Sequence, residues 1–134
     1  MMLITEKTLS PEQAVNEAHT SGSGCVVTYV GFIRDNSCGK QVVSVEYRDD
    51  AGDAVKKLEE LAVEMKAKWP LENVAIHHRI GVLKVGDINL VVAVAAAHRG
   101  EGLEAVAYAV DRFKEKLPTA KRETYTDGTE YIPG

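Results

Sequence analysis

The sequence contains little cysteine, no long hydrophobic run and no excess of positive charge. Its two cysteines, Cys25 and Cys38, are separated by twelve residues, a spacing that matches no zinc or redox motif. No stretch approaches the roughly 20 apolar residues of a membrane-spanning helix, and no signal peptide is visible. The net charge of −4 argues against general nucleic-acid binding, which needs a basic surface. We therefore expect a cytoplasmic protein with neither a membrane nor a nucleic acid as its partner.

Catalytic motifs that can be read directly from a sequence are also missing. There is no HExxH, CxxC, Walker or GxGxxG pattern, and no serine lies in a nucleophile elbow. His77 and His78 are neighbours on a predicted strand, where successive side chains point to opposite faces, so they are unsuited to chelating one metal together. We expect one of them to be exposed and the other packed. The sequence predicts neither a metal site nor a cofactor.

The patterning predicts one domain over residues 1–134, with no linker or repeat. Apolar periodicity and capping residues predict three helices, from Ser10-Pro11 to about residue 21, over 53–69 and over 101–117. The predicted strands cover residues 24–33, 42–47, 74–82 and 90–97, followed by one or two short strands within 121–132. This order predicts an α+β fold in which helices cover one face of a mainly antiparallel sheet.

The third helix and its flanks concentrate positive charge on an acidic chain. Its predicted buried stripe consists of Leu103, Val106, Ala107, Val110, Phe113 and Leu117. His98 and Arg99 precede the helix, whose N-terminus favours anions, and Lys114 and Lys121 follow. Lysines near a helix C-terminus are also stabilised by the dipole, so solvated surface charge stays open as an alternative. The spacing predicts an anion site formed by these four residues.

Four blocks of this sequence resemble one known family. They are GCVVTYVGFIRD (24–35), KWPLENVAIHHRIGVLKVGD (68–87), AAHRGEGLEAVAYAVDRFKEKLP (96–118) and KRE (121–123). Each block alone is weak, but their order and spacing closely resemble the large, catalytic subunit of molybdopterin synthase, the MoaE family. The resemblance covers roughly residues 24–123.

The resemblance implies an α/β-hammerhead type of fold and a sulfur-transfer activity. In this family a small ubiquitin-like sulfur carrier subunit presents a C-terminal Gly-Gly thiocarboxylate. Its sulfur is delivered to cyclic pyranopterin monophosphate (precursor Z), and two rounds build the dithiolene of molybdopterin for molybdenum cofactor biosynthesis. The resemblance also implies a homodimer that binds two carriers to form a heterotetramer.

Matching positions imply the site residues. The implied substrate-binding residues are Phe32, Ile33, Arg34, His98, Arg99, Lys114, Lys121, Arg122 and Glu123. The arginines are permanent charges suited to phosphate, whereas Lys114 and Lys121 are the expected catalytic residues, since lysine titrates more readily when desolvated. Which lysine performs which step stays open. Many relatives carry an aromatic residue just before the second lysine, where this chain has Thr119-Ala120. The alternative is a non-catalytic phosphate- or pterin-binding module of the same fold.

Overall fold

Three helices and nine strands form the fold of residues 1–133, which a computed structural model describes. In chain order they are β1 (Met2–Thr5), α1 (Pro11–Ala18), β2 (Cys25–Phe32), β3 (Asn36–Ser37), β4 (Lys40–Arg48), α2 (Ala54–Lys68), β5 (Leu71–Arg79), β6 (Gly81–Lys84), β7 (Ile88–Ala96), α3 (Arg99–Glu115), β8 (Ala120–Tyr125) and β9 (Glu130–Tyr131). In this part of the chain no helix combines the length and apolar character needed to cross a membrane. The α+β class is confirmed.

The first sheet has the strand order β1-β5-β7-β2 and is covered on both faces. Only β1 runs parallel to its neighbour, and the other pairs are antiparallel. α1 packs on one face, against alanines and valines of β5 and β7, while α2 and α3 pack on the other. The prediction of helices on one face is therefore wrong. β7 is buried at every position from Leu90 to Ala96, and a strand that is apolar on both sides needs cover on both sides.

The second sheet contains β3, β4, β8 and β9 in that order, with β6 paired to β4. The predicted single strand over 74–82 is divided between the two sheets. Gly81 has a φ of 94°, a left-handed conformation that glycine adopts without steric cost, and it ends the run of β5. The chain then continues as β6 in the second sheet.

The helices begin and end close to their predicted positions, but α3 buries a different face. Ser10 caps α1 by accepting a hydrogen bond from the Gln13 amide, and α2 occupies most of its predicted range. In α3 Val106 and Phe113 are buried as predicted, whereas Leu103 is 55% exposed and Ala107 is also exposed. Their places are taken by smaller residues, Gly102, Ala105 and Ala109. A side chain on Gly102 would lie 2.9 Å from Val27, so close helix–sheet packing selects small residues here.

Both neighbouring histidines are buried, which contradicts the expectation that one would be exposed. His77 faces α1, where its Nε2 lies 2.9 Å from Oε1 of Glu17. His78 faces the opposite side, with its ring edge-on to those of Tyr47 and Phe113 at centroid distances of 4.8 and 5.0 Å. The strand alternation was predicted correctly, but both faces of β5 are covered.

His78 joins β5 to β7 and to the segment before β8 through hydrogen bonds to both ring nitrogens. Nδ1 donates to the Asn89 carbonyl at 2.8 Å, since a carbonyl only accepts. Nε2 therefore accepts from the Thr119 hydroxyl at 2.9 Å in the neutral ring. Burial lowers the pKa of His78 to about 4, which the bond to Asn89 only partly opposes, so the ring is neutral at physiological pH.

We predict that His78 makes the protein less stable in mild acid. The unfolded chain protonates this side chain below about pH 6.5, whereas the folded chain resists until about pH 4. Stability from this group is therefore fully present above pH 6.5 and is lost as the pH falls towards 4, by on the order of 3 kcal/mol. Urea unfolding of the wild type and His78→Gln over pH 4–7 measures this. The variant should show the flatter dependence, and equal slopes would contradict the assignment.

Candidate active site

A cavity of about 410 Å³ opens where the end of β2, the second sheet and the last turn of α3 meet. Six of the nine predicted site residues line it, namely Phe32, Ile33, Arg34, Lys114, Lys121 and Glu123. Tyr47, Leu90, Phe113 and Leu117 form an apolar wall. The cavity thus combines cations with a surface that suits a flat, uncharged ring system.

Pairing between β4 and β8 brings residues distant in sequence to this cavity. The chain leaves α3 at Glu115, turns through the buried Pro118 and enters β8, where Lys121 pairs in register with Tyr47. Lys114 comes from the helix and Arg34 from the loop after β2. Three separate elements therefore supply the three cations of one cavity.

Lys121 and Glu123 form an ion pair inside the cavity. Nζ of Lys121 lies 3.1 Å from Oε1 of Glu123, whose side chain is only 8% exposed. The Tyr125 hydroxyl donates to Oε2 of Glu123 at 2.7 Å. Burial of Glu123 opposes its ionisation, but hydrogen bonds from Tyr125, Ser37 and Lys121 outweigh burial and lower the pKa of the carboxyl group. Glu123 is therefore ionised, and both of its carboxylate oxygens are already bonded to groups of the same chain, one of which is the Lys121 ammonium.

Lys114 and Arg34 differ from Lys121 because both are exposed and lack a carboxylate partner. Neither forms an ion pair with any residue between positions 1 and 133. Their charges face the cavity without a neutralising group of their own. They are the two cations that an incoming anion meets first.

Arg122 does not reach the cavity. Alternation along β8 directs it away from Lys121 and Glu123, and its guanidinium pairs with Glu46 and, at 3.5 Å, with Glu130. The KRE block was treated as one unit in the sequence, but a strand places its middle residue on the opposite face. Arg122 therefore joins no site with Lys121 within one chain.

His98 and Arg99 lie at the other end of α3 from Lys114. They line a separate shallow depression with Gly24, Cys25 and Leu103. With a rise of about 1.5 Å per residue, Arg99 and Lys114 are roughly 22 Å apart along the helix axis. The prediction that His98 and Arg99 share a pocket with Lys114 is wrong within a single chain. The predicted length of the helix between them already indicated that they lie far apart.

Tyr125 is a site residue that the sequence reasoning missed. It lies two residues after Glu123 on the same face of β8 and is buried behind the cavity. The same alternation that removes Arg122 would have placed Tyr125 beside Lys121 and Glu123. Ser37, whose hydroxyl also faces Glu123, carried no such signal because it lies in a loop-like segment.

Comparisons with known proteins show the family of this chain. The MoaE protein family matches residues 4–116, most of the chain. The chain belongs to the MoaE family. It is 40% identical over 112 residues to "Molybdopterin synthase catalytic subunit 1" of Aedes aegypti, covering 83% of this chain and 72% of that protein.

Solved structures show the same fold. A molybdopterin synthase from Staphylococcus aureus superposes with a TM-score of 0.90 at 32% identity, covering 98% of this chain and 96% of the other. A complex of subunits 1 and 2 of molybdopterin-converting factor from Helicobacter pylori contains a chain with a TM-score of 0.75 at 15% identity, covering 98% of this chain and 88% of that one. At that identity the second likeness concerns the fold alone.

We predict that Thr119→Val destabilises this MoaE protein more than Thr119→Ser. Valine preserves the shape of threonine but leaves Nε2 of the buried His78 without its donor, which costs about 1–3 kcal/mol. Serine keeps the donor and loses one methyl group, which lowers the free energy of unfolding by about 0.8 kcal/mol. Urea unfolding at neutral pH provides the comparison. A valine variant as stable as the serine variant would show that the hydrogen bond contributes nothing.

Proposed function

We propose that this protein is the catalytic subunit of a molybdopterin synthase. It transfers sulfur from the C-terminal thiocarboxylate of a small ubiquitin-like carrier subunit to cyclic pyranopterin monophosphate, forming the dithiolene of molybdopterin. The observation that carries the proposal is the gathering of Arg34, Lys114 and Lys121 around one cavity on a chain of net charge −4. The likeness to catalytic subunits of molybdopterin synthase supports it.

The chemistry of the substrate fits the cavity. Cyclic pyranopterin monophosphate has a flat ring system and a phosphate, and the cavity offers an apolar wall beside exposed cations. Arg34 is suited to the phosphate, because a guanidinium binds two oxygens at once and keeps its charge. A volume of about 410 Å³ lies within the usual range for small-molecule sites.

The two lysines take different parts in sulfur transfer. A carbon–sulfur bond forms at a side-chain carbon of the pterin as the oxygen substituent of that carbon leaves. The bond between sulfur and the carrier's acyl carbon breaks, and water supplies the oxygen that restores the carrier carboxylate. Negative charge develops on the acyl oxygen during this exchange, and a fixed ammonium stabilises such charge. Lys121, held by Glu123, is placed for that task, while the unpaired Lys114 is free to contact the reacting atoms.

A second copy of the chain completes the site. His98 and Arg99 lie too far from the cavity to act within their own chain, as the length of α3 shows. In a two-fold dimer the partner subunit's Arg99 adds a cation to the same cavity, and the partner subunit's His98 adds an imidazole that can hydrogen-bond. With one carrier bound to each cavity, the assembly is a heterotetramer.

We predict that Lys114→Ala lowers molybdopterin formation at least about 100-fold and Lys121→Ala about 10–100-fold, the range seen when a charge-stabilising group is removed. Lys114 contributes little to packing, so circular dichroism and melting of Lys114→Ala should be unchanged. Lys121→Ala leaves the buried Glu123 without its ion-pair partner, so it should melt at a lower temperature while its circular dichroism at the assay temperature stays that of the folded protein. The assay combines protein, thiocarboxylated carrier and precursor Z. Lys116→Ala is the matched control because Lys116 lies outside the cavity.

Two outcomes of this assay would count against the proposal. Wild-type turnover by Lys114→Ala would remove that residue from the site. A wild-type protein that binds the pterin and the carrier but forms no product would be a non-catalytic binding module.

We predict that two inactive variants restore activity when mixed. In a dimer of Lys114→Ala with Arg99→Ala, one cavity retains both its own Lys114 and the partner subunit's Arg99. Random exchange in an equal mixture should restore about a quarter of wild-type activity, since half of the dimers then hold one intact site of two. Size-exclusion mass measurement confirms the dimers. Mixed dimers without activity would show that the cavity does not use residues of the second subunit.

A further inference from the structure

One face of β8 carries a line of three polar side chains that runs from the cavity into the core. Lys121 and Glu123 line the cavity, and Tyr125 follows behind them on the same face. Tyr125 is 4% exposed and packs in the cluster that contains Val42 and Leu83. Its ring is therefore fixed by the core of the second sheet, whereas the other two side chains are flexible.

Each oxygen of the Glu123 carboxylate has its own partner in this line. Oε2 accepts from the Tyr125 hydroxyl at 2.7 Å, and Oε1 lies 3.1 Å from Nζ of Lys121. A carboxylate this deeply buried needs both its charge and its hydrogen-bonding capacity satisfied. With one oxygen fixed by a rigid phenol, the direction of the other oxygen is fixed as well.

We propose that Tyr125 is a positioning residue for sulfur transfer, whose hydroxyl holds Glu123 so that the Lys121 ammonium stays aimed into the cavity. The inference rests on the proposed function of the cavity. Glutamate has three rotatable bonds, and without the phenol its carboxylate is free to turn away from Lys121. The ammonium then loses its fixed partner before the substrate arrives.

The charges around Lys121 show why its interaction with the Glu123 carboxylate matters. Glu123 is the only carboxylate that lines the cavity among residues 1–133. The other charged or titratable groups facing the line are Arg34 after β2, Lys114 on α3, Tyr47 and Lys40 on β4, and Cys38 between β3 and β4. The cations among them repel the Lys121 ammonium, and Glu123 is the group that offsets this repulsion.

The first test is the pH dependence of single-turnover sulfur transfer by Tyr125→Phe. The variant keeps the ring that packs in the core and removes only the hydroxyl. We expect the rate to fall about 3–10-fold with little change in KM for precursor Z. The acid limb of the profile should move to higher pH, because the Tyr125 hydroxyl lowers the pKa of Glu123. Tyr131→Phe, which removes a hydroxyl from an exposed tyrosine on β9, should match the wild type. A profile for Tyr125→Phe that superposes on the wild-type profile overturns the proposal.

The second test asks whether Tyr125 acts through Glu123. If it does, the double variant Tyr125→Phe/Glu123→Gln should be no slower than Glu123→Gln alone, within about twofold. If the rate losses of the two single variants multiply in the double variant, the two residues act independently, which would contradict the positioning role. Lys121→Ala with full activity would instead refute the proposed function of the cavity.

A third measurement needs no turnover. NMR of protein carrying ¹³Cε-labelled lysine follows the Lys121 signal at neutral pH, assigned by comparison with Lys121→Arg. Because the ammonium then loses its fixed carboxylate partner, this signal should move towards the position of the exposed lysines in Tyr125→Phe. An unchanged signal would contradict the inference even in a protein that catalyses no sulfur transfer.

Discussion

The antiparallel pair of β5 and β7 is buried on both faces, and the rest of the fold follows from that burial. Because neither face is left to water, α1 has to cover one side and α2 with α3 the other. After β5 the chain leaves this sheet, and from Gly81 it continues as β6 in the second sheet. α3 crosses the covered face and ends beside that second sheet. The cavity forms at this junction, so its position is a consequence of how the central strands are covered.

Buried polar groups at the junction fix the orientation of the two sheets. His78 connects β5 to β7 and to the segment before β8, and Nδ2 of Asn89 on β7 donates to the Tyr47 hydroxyl on β4. Each of these groups would be costly to bury alone, so only arrangements that supply all the partners at once are stable. Such groups restrict movement between the sheets more strongly than apolar contacts, which tolerate sliding. The cavity cations are therefore carried on a junction with one preferred geometry.

The sequence predicted what local patterns determine and missed what depends on packing between elements. The limits of α2, the apolar character of β7 and the presence of Lys114 with Lys121 in one cavity followed from periodicity and from family resemblance. The second covered face of the sheet was missed because the centres of β5 and β7 are buried on both sides, which a count of elements does not reveal. Arg122 was assigned to the cavity because the KRE block was treated as a unit. Side chains alternate along a strand, so the middle residue of the block points to the opposite face.

The charges of the cavity explain why one chain is an incomplete site. The ion pair between Lys121 and Glu123 is neutral overall, so Lys121 adds a positioned donor but little net positive potential. Arg34 and Lys114 are left as the exposed cations of one chain, yet the proposed reaction brings a phosphate and a thiocarboxylate together. Additional positive charge has to come from elsewhere, and His98 and Arg99 are exposed at the far end of α3 without an ion-pair partner in residues 1–133. Under the proposed function the partner subunit's Arg99 supplies that charge, and sulfur transfer is then a property of the assembly.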